Sequence, residues 1–239
     1  MKISYKGYNV VVTGASRGIG KSIADTYFKL GANVIGTSVT KEISKKNYRL
    51  IKANFLNQDD LNYFIEELKK INSIDILINN AGINRINNIP NVSDEDIHDL
   101  FEVNLISSIK ISREVSKKMI KRKYGKILNI SSIFGVVSKN KRSIYSTTKF
   151  ALNGFTKGLS LDLAKNNIQV NSICPGVVET ELTQKILGNI GMKKIKNEIP
   201  LGRLAKVKEI SNLVIFLTSE YCNYITGQNI IIDGGYTAK

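Results

Sequence analysis

The chain opens with a β-branched run, a glycine-rich turn and an amphipathic helix laid end to end, and that run restricts the folds open to it. Tyr8–Thr13 (YNVVVT) is a short apolar stretch with the pattern of a buried strand. It leads into GASRGIG, with glycines at Gly14, Gly18 and Gly20. The KSIADTYFKLG that follows places Ile23, Ala24, Tyr27, Phe28 and Leu30 on one helical face and closes on Gly31. Strand, glycine turn and helix together make a phosphate-binding layout. Missing side chains let backbone N–H groups approach a pyrophosphate at the positive end of the helix. The spacing is GxxxGxG rather than GxGxxG, and glycines also serve tight turns, so the loop alone does not decide the matter.

The alternation continues to the end of the chain. Further strands are expected at Asn33–Thr37, Leu50–Ala53, Asp75–Asn79, Lys126–Ser131, Ile168–Ile173 and Asn229–Ile232. Helical patterns lie between them at Gln58–Lys70, Ser93–Lys123, Ser143–Lys165 and Val207–Ser219. Ser93 with Asp94, Glu95 and Asp96 suits a helix N-terminus. Such alternation predicts an α/β fold, a doubly wound parallel sheet of about seven strands with helices on both faces. Ligands then belong beyond the C-terminal strand ends. With 239 residues, 42% of them hydrophobic and only 3 Pro, a single domain spanning 1–239 is expected. Met1–Val12 lacks the apolar core of a signal peptide, and no apolar run is long enough to span a membrane. Two cysteines, Cys174 and Cys222, and the one histidine, His98, form neither a disulfide scaffold nor a familiar metal spacing. The expectation is a cytoplasmic enzyme with no metal and no membrane span.

The second strand bears on nucleotide choice. Many NAD-binding units end it with an acid that accepts hydrogen bonds from the ribose 2′-OH. Here it ends Gly36, Thr37, Ser38, with no acid before Glu42, while Arg17 lies in the glycine loop and Lys41 is near in sequence. Without the acid there is no repulsion against a 2′-phosphate, and Arg17 can pair with one, so NADP(H) is preferred over NAD(H). Alternatively, Arg17 is a solvated turn residue. Further on, Tyr145 and Lys149 stand four residues apart in YSTTK, about one helical turn, with Ser131 and Ser132 upstream. Free tyrosine titrates near about 10, and a cation within roughly 4–6 Å favours the phenolate. The pair therefore makes a proton donor and acceptor; its bland reading is two side chains sharing an exposed face.

TGASRGIG at Thr13–Gly20, NNAG at Asn79–Gly82, Asn104 in VNL, NISS ending at Ser132, YSTTK, CPG ending at Gly176 and DGG at Asp233–Gly235 occur in this order. On these motifs the chain resembles the short-chain dehydrogenase/reductase family along essentially its whole length. The nearest flavour is the 3-oxoacyl-[acyl-carrier-protein] reductases and related bacterial sugar or polyol dehydrogenases. The resemblance implies a single Rossmann-type domain and a catalytic set of Asn104, Ser132, Tyr145 and Lys149. Tyr145 would exchange the proton, Ser132 would hold the carbonyl oxygen, Lys149 would hold the nicotinamide ribose, and Asn104 would position a water. Adjacent strand residues face opposite ways, so the pattern rather than spacing chooses Ser132 over Ser131. Cofactor contacts are implied at Gly14, Ser16, Arg17, Gly18, Ile19 and Gly20 in the loop, and at Thr37 and Asn54. They are also implied at Asn80, Ala81 and Gly82 in NNAG, at Tyr145 and Lys149, and at Pro175, Gly176, Val178 and Thr180. Asn54 stands where many relatives carry Asp against the adenine.

Residues 177–201 are the least regular long stretch, with Gly188 and Gly191 among Leu182, Ile186, Leu187, Ile190 and Met192. By analogy they form a substrate lid; otherwise they are a surface helical hairpin packing its apolar residues inward. The net charge of +15 leaves three readings. No nucleic-acid motif is present and the basic residues are scattered, which speaks against nucleic acid. Lys121, Arg122, Lys123 and Lys126, with Lys165, could dock an acidic acyl carrier protein. The lysines could also simply be solvated. Asn166 and Asn167 replace an Arg common in carrier reductases, and the SKNKRS loop, Ser138–Ser143, is more basic than its usual glycine-rich counterpart. That loop could read a phosphate or carboxylate on a sugar-like substrate. A non-catalytic dinucleotide-binding scaffold is a further alternative. The family also implies a homotetramer through the Ser93–Lys123 and Ser143–Lys165 helices.

Overall fold

The opening run folds as β1 (Asn9–Val12), the glycine loop and α1 (Gly18–Lys29) in the computed structural model, which describes residues 3–40, 43–44 and 48–238. After them come β2 (Asn33–Ser38), a two-residue β3 (Ile43–Ser44), β4 (Arg49–Lys52), α2 (Gln58–Lys69) and β5 (Ile76–Asn79). The second half holds α3 (Asp94–Phe101), α4 (Ser107–Arg122), β6 (Gly125–Ile130), α5 (Ser143–Leu163), β7 (Ile168–Pro175), α6 (Glu181–Glu198), α7 (Val207–Thr218) and β8 (Asn229–Ile232). The sheet order is β3-β4-β2-β1-β5-β6-β7-β8. Every pairing is parallel except β3 with β4 at one edge, so the seven expected strands form the parallel sheet. Lys41 and Glu42, weighed above for the 2′-phosphate, lie outside the described residues.

Strand alternation divides the apolar residues into two cores. Val10 and Val12 of β1 join one face and Val11 the other; Ile76 and Ile78 of β5 follow the first and Leu77 the second. Ile23, Ala24 and Tyr27 of α1 with Val214 and Leu217 of α7 cover the first face. Leu61, Phe64 and Leu68 of α2 with Ile111, Val115 and Met119 of α4 cover the second. Each such fully buried side chain contributes about 1.5–3 kcal/mol of transfer free energy. One rung crosses the sheet in polar residues: Asn79, Asn129, Ser172 and Asn229 are register partners along β5, β6, β7 and β8. Asn79 Nδ2 donates to Asn129 Oδ1 at 2.8 Å, and Asn129 Nδ2 donates to Thr156 Oγ1 at 2.8 Å. Ser172 Oγ lies 2.7 Å from Asn229 Oδ1.

The structure departs from the sequence expectation in four places. The Ser93–Lys123 pattern is not one helix, because a π-helical turn, Glu102–Ile106, separates α3 from α4. Such a turn inserts one residue and redirects a side chain, here Asn104. The 177–201 stretch is mostly helical: α6 runs through it but breaks at Gly188, whose φ of 59° and ψ of −177° no helix interior accepts. Lys126 is buried and cannot meet a partner. Its Nζ bonds Gln169 Oε1, Cys222 O at 2.7 Å and Asn223 Oδ1 at 3.0 Å. Asn167 takes a left-handed conformation (φ 57°) after the 3₁₀ turn that ends α5, a backbone role that asparagine fills better than arginine.

Candidate active site

β1 pairs in parallel with β2 on one side and β5 on the other, so the order of successive strands reverses there and a crevice opens at the C-terminal strand ends. The glycine loop roofs one end. Thr37 accepts the Gly14 N–H through Oγ1 at 2.9 Å and the Ala15 N–H through its carbonyl at 2.9 Å. Thr13 Oγ1 accepts the N–H groups of Asn80 and Ala81 at 2.9 and 3.0 Å. Asn80 Nδ2 returns to Thr13 O at 2.9 Å and Gly14 O at 3.2 Å. NNAG is therefore more than a strand-ending turn: it is bolted to the glycine loop. Gly14 and Gly18 hold φ of 66° and 56°. Gly20 has no room for a Cβ, which would overlap the Gly14 carbonyl oxygen. Arg17, the residue before α1, caps it with no side-chain bond, and the first turn holds no acid, so the amide end keeps its positive potential.

Two cavities meet over this floor. One, of about 250 Å³, is lined by Gly14, Ser16, Arg17, Gly18, Ile19 and Gly20, by Thr37 and Asn54, and by Asn80, Ala81 and Gly82. The other, of about 280 Å³, is lined by Ser132, Tyr145, Lys149, Pro175, Gly176 and Val178. Thr180, Ile19, Asn80 and Gly82 line both and join them into one trough. Apart from Asn104, every residue predicted for the site thus borders this trough. Asn104 lies behind it, 1% exposed. Its Oδ1 accepts the Ile83 N–H at 2.8 Å, and its Nδ2 donates to Ile83 O at 3.0 Å and to Thr148 Oγ1 at 3.2 Å. The π turn aims Asn104 at the strand-end loop, where it clamps the trough wall.

Within the second cavity the chemistry converges. Ser132 Oγ accepts the Phe134 N–H at 3.1 Å, and its hydroxyl is close enough to the Tyr145 phenol to lower the phenol's pKa. Ser131 Oγ turns away to Lys149 O at 3.3 Å, so Ser132 is the serine beside the tyrosine. Lys149, one turn along α5 from Tyr145, donates to Ile130 O at 3.0 Å, its Nζ 5.8 Å from the Tyr145 ring centroid. Here the structure corrects the expectation of a lowered tyrosine. Burial raises the Tyr145 pKa above its ordinary value, opposed by the nearby Ser132 hydroxyl and the Arg142 charge. Burial is also the main cause on Lys149, whose pKa falls to about 8. One of the three ammonium donors goes to a backbone carbonyl, and the charge stands 5.8 Å from the phenol ring rather than bonded to its hydroxyl.

Sequence reasoning missed Asn84 and Phe134 and named Arg142 only within its loop. Arg142 Nη1 donates to Asn84 Oδ1 at 2.9 Å and its guanidinium lies 5.8 Å above the Phe134 ring. All three line the second cavity. No signal in the linear chain pairs Asn84 with a residue 58 positions away. The lid expectation divides by residue. Leu182, Ile186, Leu187 and Ile195 line the cavity, Met192 packs with Ile195, Ile199 and Leu204, and Ile190 is 88% exposed. Cys174 is a buried packing residue, its Sγ 3.6 Å from Asn153 Nδ2, and His98 is exposed. Asn54 spends its side-chain oxygen on the Leu56 N–H at 3.2 Å. Among the described residues no group of three His, Cys, Asp or Glu side chains could hold a metal, and no helix is long and apolar enough to cross a membrane.

A family model described as enoyl-(acyl carrier protein) reductase matches residues 14–237. The 3-oxoacyl-[acyl-carrier-protein] reductase FabG of Aquifex aeolicus is 39% identical over 247 residues, 98% of this chain and 99% of its own. The chain belongs to the short-chain dehydrogenase/reductase family. Two solved structures superpose closely. ElxO with NADP bound is 30% identical with a TM-score of 0.89, covering 97% of this chain and 99% of its own. A 4-hydroxyisoleucine dehydrogenase complexed with NADH is 32% identical with a TM-score of 0.91, covering 98% and 100%. As a short-chain dehydrogenase/reductase the chain is an oxidoreductase of hydroxyl and keto groups that uses a nicotinamide dinucleotide. The trough fits that cofactor: Gly14, Gly18 and Gly20 present side-chain-free backbone at an uncapped helix end, the setting that accepts a diphosphate.

Proposed function

We propose that this chain is an NADP(H)-dependent carbonyl reductase whose substrate is a 3-oxoacyl thioester carried on acyl carrier protein. One observation carries the chemistry: Ser132, Tyr145 and Lys149 stand together in a largely apolar cavity continuous with the dinucleotide trough. The cofactor, when bound, supplies the hydride that reaches the carbonyl carbon. Tyr145 gives its proton to the carbonyl oxygen, and a raised pKa keeps it protonated for that step at neutral pH. Ser132 donates to the same oxygen as negative charge develops there. Lys149 holds the nicotinamide ribose, and Asn104 holds Ile83 and the water route behind it. The products are the 3-hydroxyacyl thioester and the oxidised dinucleotide; in reverse, Tyr145 takes the proton back.

Arg17 supports the NADP(H) preference. It lines the trough, and β2 ends in Thr37 and Ser38 with no carboxylate. The remaining contacts are assigned as the motifs imply: Gly14, Ser16, Gly18, Ile19 and Gly20 to the diphosphate, Thr37, Asn54, Asn80, Ala81 and Gly82 to the adenosine side, and Pro175, Gly176, Val178 and Thr180 to the nicotinamide. The full-length likeness to a carrier-protein reductase supports the substrate class. Lys121, Lys123 and Lys165 are the exposed cations for an acidic carrier; Lys126 is excluded by burial, and Arg122 is engaged with Asp75 at 2.6 Å. A cytoplasmic homotetramer would use α3, α4 and α5, the last of which exposes Phe150 and Leu161 at 48% and 78%. A sugar or keto-acid substrate draws on one observation, the cations Lys139 and Arg142 in the cavity wall. Turnover of NADPH with carrier-linked acetoacetyl thioester, against a panel of keto-sugars, tests the choice. Tyr145→Phe should lose about 10²–10⁴-fold in rate while still binding NADPH. A variant that keeps its rate would refute the assignment, and function without turnover would make the chain a scaffold.

A further inference from the structure

We propose that Arg142 binds an acyl oxygen of the substrate, so that the site selects ketones carrying a carboxyl-level oxygen two carbons from the reacting carbon. The inference rests on the carbonyl-reductase reading of the same cavity and names a specificity residue within it. Arg142 is the residue before α5, three positions ahead of Tyr145, and both line the cavity. Phe134 connects them: its ring is 6.4 Å from the Tyr145 ring, in an edge-on arrangement, and 5.8 Å from the guanidinium. A ketone oxygen held by Tyr145 and Ser132 thus leaves its chain lying across Phe134 toward Arg142.

The guanidinium is half-buried, and burial lowers its pKa from the ordinary arginine value. Its protein partner is a neutral amide, Asn84 Oδ1 at 2.9 Å. Among the described residues no carboxylate pairs with it, whereas Arg85, Arg122 and Arg203 each meet one. A half-buried cation whose five donors meet one neutral acceptor keeps the remaining donors for a ligand in the cavity, which displaces water from them. The other cations of the cavity are engaged. Lys149 bonds Ile130 O at 3.0 Å, and Lys139 pairs with Glu198 of α6 at 2.7 Å. Among the described residues the cavity wall contains no acid that could repel a carboxyl-level oxygen. Asn84 and Phe134 fix the fork from two sides, and the Asn87 N–H bonds Lys141 O at 3.3 Å beside it, so the donors are held ready before substrate arrives.

Two sources can present that oxygen: the thioester carbonyl of a carrier-linked acyl chain, or the carboxylate of a free oxo acid. Three substrates separate them: acetoacetyl-N-acetylcysteamine, its thioether analogue with CH₂ in place of the acyl C=O, and acetoacetate. kcat/KM is measured for each in the native protein, Arg142→Met and Arg142→Lys, with NADPH affinity as a check on folding. The native protein should prefer the thioester to the thioether by about 10–100-fold, the range of a hydrogen bond to a charged group. Arg142→Met should bring that ratio within about threefold of unity, and Arg142→Lys should restore part of it. Acetoacetate outrunning the thioester would identify the carboxylate as the source; the reverse order would identify the carrier-linked acyl group. A ratio that survives in Arg142→Met, or an equal loss on all three substrates, overturns the role of Arg142 and leaves the reductase reading standing. A native protein that binds NADPH and reduces none of the three overturns both.

Discussion

Replacing Gly20 by alanine separates two effects of opposite sign. Gly20 lies in the first turn of α1, where alanine favours the helix by about 0.8–1 kcal/mol. Propensity alone therefore predicts a more stable protein. The contacts predict the reverse. A Cβ at Gly20 would overlap the Gly14 carbonyl oxygen and Asn80 Nδ2 and lie 2.9 Å from the Gly14 carbonyl carbon. Two of these are backbone atoms, which cannot swing aside as a side-chain tip can. Overpacking costs about 1–3 kcal/mol. Pushing Asn80 away from Thr13 O and Gly14 O loses hydrogen bonds worth about 0.5–1.5 kcal/mol each. After the helix gain the net is about 1–5 kcal/mol of destabilisation, or a Tm lower by roughly 2–20 °C for a domain of this size. The displaced atoms floor the diphosphate site, so NADPH affinity should fall about tenfold or more, equivalent to about 1.4 kcal/mol of binding free energy. Thermal unfolding without ligand and NADPH titration by fluorescence read the two effects separately. A raised Tm with unchanged affinity would show that the loop absorbs a methyl group and that the cradle argument is wrong.

Three further outcomes are expected. Lys149 titrates near 8 in the fold against 10.5 unfolded, so its burial costs roughly 3 kcal/mol below pH 8, a cost that fades as pH rises toward 10.5. In urea unfolding without cofactor, Lys149→Met should be more stable than the native protein at pH 7, with the difference shrinking by pH 10; a pH-independent difference would contradict the buried charge. Arg17→Ala should raise the KM for NADPH by about tenfold, the scale of one charge-assisted phosphate contact, and leave that for NADH nearly unchanged. An equal effect on both would return Arg17 to an ordinary turn residue. Lys126→Ala should lower stability by about 1–3 kcal/mol, because it strands the acceptors Cys222 O and Asn223 Oδ1, without altering affinity for a carrier protein; weakened docking at unchanged stability would contradict its burial.

The sheet was legible because its strands advertise themselves locally. Runs such as NVVV, ILIN and NIII are β-branched and bounded by turn residues, and the intervening helices carry clean apolar faces. Asn104 stands out by its motif, yet its clamp on Ile83 does not show in the sequence. A π turn costs nothing visible in hydrophobic spacing, so α3 and α4 read as one helix. The sign of the tyrosine shift escaped for a related reason. Spacing places Lys149 one turn from Tyr145 but cannot say that Ile130 O takes its proton donor. Arg142 gains its meaning from Asn84 and Phe134, which come from other loops, and Lys126 reads as surface charge until its three acceptors close over it. What the chain conceals is mainly which polar group spends its bonds on which distant backbone.

The polar rung of Asn79, Asn129, Ser172 and Asn229 has a consequence for assembly. In a mostly apolar sheet, aliphatic side chains accept many neighbours, and a strand displaced by one residue would still bury grease. At this rung it would not. Sliding β6 by one position would set Leu128 or Ile130 against Asn79 and Ser172 and leave dry amides and hydroxyls that each cost about 1–3 kcal/mol. The row acts as a checksum on strand pairing, read one step before the loops that carry the chemistry. Misregistered sheets are rejected where an error would do most harm, at the rung that sets the height of Ser132 and the NNAG turn.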